Sequence, residues 1–129
     1  MDALIRKAAP SLKSYFHQGA PEGEPGMRFK MIGYGKSFYR AKTGEKVEWP
    51  VVGVALQKNY ISVYLGVTKR GAAVTDAYAG RLGELRMGRN NFSFERFDDL
   101  DISAAAALFR DAEQVLAADP ENVSRTMQG

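Results

Sequence analysis

Hydrophobic and polar positions alternate most regularly in the middle of the chain. With Lys58 and Asn59 as a two-residue loop between residues 51–57 and 60–66, Val52, Val54 and Leu56 fall opposite Leu65, Val63 and Ile61. A wholly apolar face of this kind predicts a core, because strands show alternate residues to each side and apolar area is driven out of water. The reverse face pairs Gly53 with Tyr64, Ala55 with Ser62 and Gln57 with Tyr60. Small residues under a tyrosine leave room there, first for a helix of the same chain and otherwise for a ligand.

The flanking patterns extend this hairpin. Residues 2–17 place Leu4, Ile5, Ala8, Leu12, Tyr15 and Phe16 at spacings of three and four, which predicts an amphipathic helix with Asp2 as its cap. Pro10 interrupts it, so two short helices breaking near Ala9 are expected. After a turn-rich connector at 19–26, residues 28–31 alternate as a half-buried strand does. Residues 37–41 and 46–49 predict a second hairpin around residues 42–45. A two-residue loop at Thr43 and Gly44 would set Phe38 opposite Trp49 as an aromatic pair and Tyr39 opposite Glu48.

Tyr78, Leu82 and Leu85 predict a helix over 75–85, capped by Thr75, with Arg81, Arg86 and Arg89 toward its end. Residues 91–97 alternate as a last strand. A long amphipathic helix then runs through Ile102, Ala105, Leu108, Phe109, Ala112, Val115 and Leu116. The expected fold class is α+β: two layers, an antiparallel sheet packed by N- and C-terminal helices. One domain over residues 1–118 and a flexible tail over 119–129 are expected.

Composition fits that outline. At 129 residues, 45% hydrophobic and 26% charged, the chain suits one globular domain and excludes wholesale disorder, collagen and coiled-coil classes. No apolar run approaches the roughly 20 residues of a membrane-spanning helix, and the first residues do not read as a secretory signal. A cytoplasmic protein without membrane association, monomeric or dimeric, is expected. Charge is uneven: residues 1–70 carry 12 Lys and Arg against 5 Asp and Glu, residues 71–129 carry 6 against 10. The basic residues stand singly among apolar ones, which suits solvated strand faces better than a nucleic-acid footprint.

Chemistry is sparse. The absence of cysteine removes disulfides, thiolate metal sites and cysteine nucleophiles together. His17 is the sole histidine, expected as a dipole partner at the end of the first helix. Gly35, Lys36 and Ser37 end like a phosphate loop, but Lys30 occupies the position of its first glycine. Without a nucleophile, base and orienter set, no catalytic residue is assigned and a non-catalytic protein is expected. The candidate ligand-binding residues are Tyr34, Lys36, Tyr39, Arg40, Trp49, Gly53, Tyr60 and Tyr64: tyrosines over Gly53 as a wall, with Lys36 or Arg40 holding an anion. Asp98, Asp99 and Asp101 form the acidic cluster; as N-caps they are structural, and as carboxylates they would suit a hard cation or iron.

Three segments carry a family resemblance: MIGYGKSFY at 31–39, WPVVGVALQKNYISVYL at 49–65 and GELRMGRNNFSFERFDDLD at 83–101. Together they resemble the YdhG-like family of bacterial domains of unknown function, over roughly residues 28–117. The resemblance implies a frataxin-like α+β fold, and, through relatives that look like intracellular iron chaperones, iron as cargo. Those relatives hold iron on an acidic ridge along the first helix. Here that helix has Asp2 as its only acid beside Arg6, Lys7 and Lys13, so no iron ligand carries over. The expected partner is therefore an unidentified small molecule or protein.

Overall fold

The computed structural model describes residues 1–19, 30–40, 44, 46–69, 72–83, 85–88, 90–118 and 123–124. Helix α1 (Asp2–Ala8) is followed by strands β1 (Ser14–His17), β2 (Met31–Arg40), β3 (Lys46–Leu56) and β4 (Ile61–Leu65). Two-residue strands β5 (Thr68–Lys69) and β6 (Ala72–Ala73) pair with each other. Then come β7 (Arg86–Met87), β8 (Asn91–Phe94), α2 (Ile102–Ala118) and β9 (Val123–Ser124). The fold class is α+β. Its main sheet runs β1-β2-β3-β4-β8-β7, antiparallel along that path. None of the described helices is long and apolar enough to cross a membrane.

The 51–66 hairpin folds in the expected register, with Val52 against Leu65, Val54 against Val63 and Leu56 against Ile61. Val52, Val54, Val63 and Leu65 join Phe92 and Phe94 of β8 in the core, where Ile5 of α1 and Ala105, Leu108 and Phe109 of α2 close over them. Burying each large side chain contributes ~1.5–3 kcal/mol. Leu56, at the end of the row, is instead 80% exposed.

Several expectations are corrected, beginning with the first third of the chain. The chain does break at Ala9, whose non-helical backbone (φ −135°, ψ 67°) precedes Pro10, but it continues as strand, not helix. Tyr15, Phe16 and His17 thus lie on β1, with His17 opposite Met31 and away from any helix end. Asp2 does not cap α1: Met1 holds that position, and the Asp2 carboxylate pairs with Arg6 at 2.9 Å. The 37–49 pairing is shifted by one residue, so Ser37 faces Trp49 and Phe38 faces Glu48. A one-residue shift sends each side chain to the other face, which dissolves the expected aromatic pair. Gly44 stands in the left-handed region at φ 86°, while its neighbours 41–43 and 45 lie outside the described residues.

The helix expected over 75–85 is a 3₁₀ turn at Val74–Tyr78. Gly80 (φ 77°) and Gly83 (φ 109°) turn the chain where an α-helix would have continued. Tyr78 and Leu82 still reach the core, and the turn packs against α2. Arg86 belongs to β7, a strand the pattern does not announce. The last strand stops at Phe94, short of 97. Within the stretch expected as a tail, β9 runs parallel to β2 at Phe38 and Tyr39. The connector at 20–26, Arg28 and Arg89 lie outside the described residues.

Candidate functional site

The outer edge of β2 decides where a cleft forms. β1 covers only its first residues, 31–34, and β9 meets it at 38–39. Between them Gly35 donates its N–H to the Lys13 carbonyl at 3.0 Å, and β2 runs on past the start of β1. Residues 11–15, Gly35 and Lys36, and the last turns of α2 enclose a cleft of about 510 Å³. Its surface is mostly apolar, with Leu12 and Leu116 contributing and Lys13, Lys36, Ser11, Ser14 and Glu113 supplying polarity. Apolar walls with a few placed polar groups are the usual make-up of a small-molecule site.

Each wall has a local cause. Gly35 adopts φ 72°, and a Cβ there would stand 2.8 Å from Leu12 Cδ2 and 3.2 Å from Val51 Cγ2, so glycine lets Leu12 close on β2. Glu113 Oε2 accepts from the Ser11 backbone N–H at 2.7 Å and from Ser11 Oγ at 2.6 Å. That pair fastens the turn after α1 to α2. Ser14 Oγ accepts from Arg6 at 2.9 Å. The Lys36 ammonium stands 5.1 Å from the centre of the Tyr15 ring and 3.6 Å from Glu48, both charged partners being about half exposed. The Tyr15 hydroxyl is buried, with no hydrogen-bond partner among the described residues. Burial, and secondarily the Glu48 charge, raise its pKa and keep it protonated.

Of the residues expected to bind a ligand, only Lys36 lines this cleft. Tyr34 is buried under α1 and donates to Asp2 Oδ1 at 2.5 Å. That bond, followed by Arg6, lowers the Asp2 pKa, while burial raises that of Tyr34. Trp49 is buried against Gly66, where any Cβ would collide with its indole. Tyr39 and Arg40 are fixed by backbone pairing with Val47 and Lys46, and their side chains lie outside the described atoms.

Gly53, Tyr60 and Tyr64 belong to the sheet face turned away from the helices. Pairing aligns Tyr15, Gly33, Gly53, Tyr64 and Asn91 in one row across five strands. The expected helix cover does not reach it, because the 74–78 turn packs on α2. Side chains fill the space instead. Tyr15 lies over Gly33, Met31 over Gly53, and the Arg86 guanidinium is 4.9 Å from the centre of the Tyr60 ring. Ser62 and Ser93 bond to each other at 3.0 Å. Tyr64 has a raised pKa, chiefly from burial.

The acidic cluster lies elsewhere. Asp101 Oδ1 accepts from the Ala104 N–H at 3.0 Å and so caps α2, and Asp99 Oδ2 accepts from the Arg96 N–H at 3.3 Å. Asp98, Asp99 and Asp101 border a second cavity of about 320 Å³ with Gly83 and Leu100. Among the described residues no three His, Cys, Asp or Glu side chains gather where they could hold a metal ion.

Sequence reasoning passes over Ser11 and Glu113 and reads Leu116 only as a helix core position; the serine is about a hundred residues from the other two and meets them only through packing. Ser37, weighed there only as the end of a phosphate-loop-like motif, is fully buried, and its Oγ lies 2.8 Å from the Gly66 carbonyl and 3.1 Å from that of Trp49. A serine just before Phe38 and Tyr39 is its sole sequence signal. No family model, curated protein or solved structure matches the chain.

Proposed function

We propose that this chain is a non-catalytic binding domain that holds a small ligand in the cleft between the 11–15 segment, β2 and the end of α2. The observation that carries this reading is the cleft itself, about 510 Å³ of mostly apolar surface. Its two serines and its carboxylate are already engaged in holding the walls together: Ser11 with Glu113, Ser14 with Arg6. Such groups shape a site; they do not offer a free nucleophile and base. The helix, antiparallel sheet and closing helix support a YdhG-like, frataxin-like reading of the fold. Iron handling at Asp98, Asp99 and Asp101 draws less support, since Asp99 and Asp101 each engage an oxygen with a backbone N–H group.

The test is calorimetric titration of the full chain with octanoate and with 1-octanol. Saturable binding of either, abolished by Ala117→Trp at unchanged melting temperature, is the expected outcome. Binding indifferent to Ala117→Trp, or no binding of either probe, contradicts the reading.

A further inference from the structure

The cleft's charges point to the chemistry of its occupant. Three ionisable side chains of full charge line it: Lys13, Lys36 and Glu113. Glu113 accepts through Oε2 from the Ser11 N–H and Oγ, at 2.7 and 2.6 Å, so this oxygen is engaged from within the protein. Lys13 and Lys36 stand close along the chain path, because the Gly35 N–H bonds the Lys13 carbonyl at 3.0 Å. Both lysines are exposed. Lys36 is held only loosely by Glu48: 3.6 Å is a long ion pair, and both partners are half in water, where such pairs contribute little.

The body of the cleft is different. Leu12, Leu116 and Ala117 leave a surface on which an apolar group displaces water at a gain. A cationic ligand would meet two lysines against one glutamate whose Oε2 is already engaged, and a wholly apolar one would leave both lysines unused.

We infer that the ligand is a small amphipathic anion, with its apolar body against Leu12 and Leu116 and its single anionic group between Lys13 and Lys36. This rests on the cleft reading proposed above. An ammonium is a compact point charge that serves carboxylate and phosphate alike, so the anionic group is either of these.

The experiment compares octanoate, octyl phosphate, 1-octanol and octylamine by calorimetry on the full chain. Octanoate or octyl phosphate is expected to bind about tenfold tighter than 1-octanol, the tighter of the two naming the anionic group, and octylamine weakest. Lys13→Met with Lys36→Met, which keeps the aliphatic stems, is expected to bring the anions down to the affinity of 1-octanol. Because both lysines are exposed, this double variant should keep the parent's melting temperature. Glu48→Gln, which frees Lys36, should tighten the anions instead. Equal affinity for octanoate and 1-octanol, both abolished by Ala117→Trp, overturns the anionic ligand and leaves the cleft reading standing. Octylamine binding tightest overturns it as well. Failure of all four probes overturns both readings.

Discussion

Gly33 is the bed on which Tyr15 lies: a Cβ at position 33 would stand 2.6 Å from Tyr15 Cζ and 2.9 Å from its hydroxyl oxygen. The two residues are direct partners in the β1–β2 ladder. Tyr15 also borders the cleft, so the fit of its ring over Gly33 steadies the strand beside the site. Gly33→Ala must displace the ring or bend β1. Urea unfolding should show a loss of ~1–3 kcal/mol, the usual cost of overpacking, together with weaker octanoate binding. An unchanged midpoint would mean that the ring moves aside freely and does not steady the strand.

Ser37 ties two strand ends through a single hydroxyl. Its Oγ lies within hydrogen-bond reach of the Trp49 and Gly66 carbonyls, and the residue is fully buried. The one hydroxyl hydrogen serves one of these carbonyls at a time, and removing it leaves a buried acceptor without that bond, which costs about 1–3 kcal/mol. Ser37→Ala should lower stability by that amount in urea, whereas Ser37→Thr should fail differently, by crowding. Neutral behaviour of Ser37→Ala would show that the tie is idle.

The Tyr34–Asp2 bond predicts pH dependence at both ends of the scale. Asp2 has a lowered pKa when folded, so its contribution is present above its ordinary value of 3.8 and is lost as pH falls. Tyr34, like Tyr15, Tyr64 and Tyr78, has a raised pKa. For a group that stays protonated when folded, stability is complete below the unfolded value of 10.0 and declines as pH rises beyond it. Unfolding midpoints in urea should therefore fall in acid and again in strong alkali. Tyr34→Phe should flatten both limbs; a variant with the parent's full pH profile would show that the bond does not form in solution.

Asp101 caps α2, and replacing such a cap by alanine costs ~1 kcal/mol. Asp101→Ala should lower the melting temperature, and Asp101→Asn, an equally good cap, should restore most of it. Ferrous titration of Asp101→Asn separates this role from metal binding: reduced iron uptake at full stability would favour the metal.

The alternation in 51–66 yields both faces and the full register of that hairpin, because each face is consistent along its whole length. The neighbouring hairpin misleads, since its register depends on loop length at residues 42–45 and Thr43-Gly44 resembles a two-residue turn. Ser37 then takes the place expected for Phe38 opposite Trp49. Leu12, Tyr15 and Phe16 fit helical spacing equally well, and a four-residue strand is too short for alternation to outvote it. Tyr34 looks like a ligand wall until β3 pairing sets it opposite Val52, on the core face. The cleft has no sequence signature at all, because its walls come from three distant segments that only packing brings together.

The most direct test is an amide chemical-shift map of the labelled full chain titrated with octanoate. Shifts should gather at Leu12, Lys13, Gly35, Lys36 and Leu116. Shifts concentrated instead along Gly53, Tyr60 and Tyr64 would place the ligand on the open sheet face and contradict binding in the cleft.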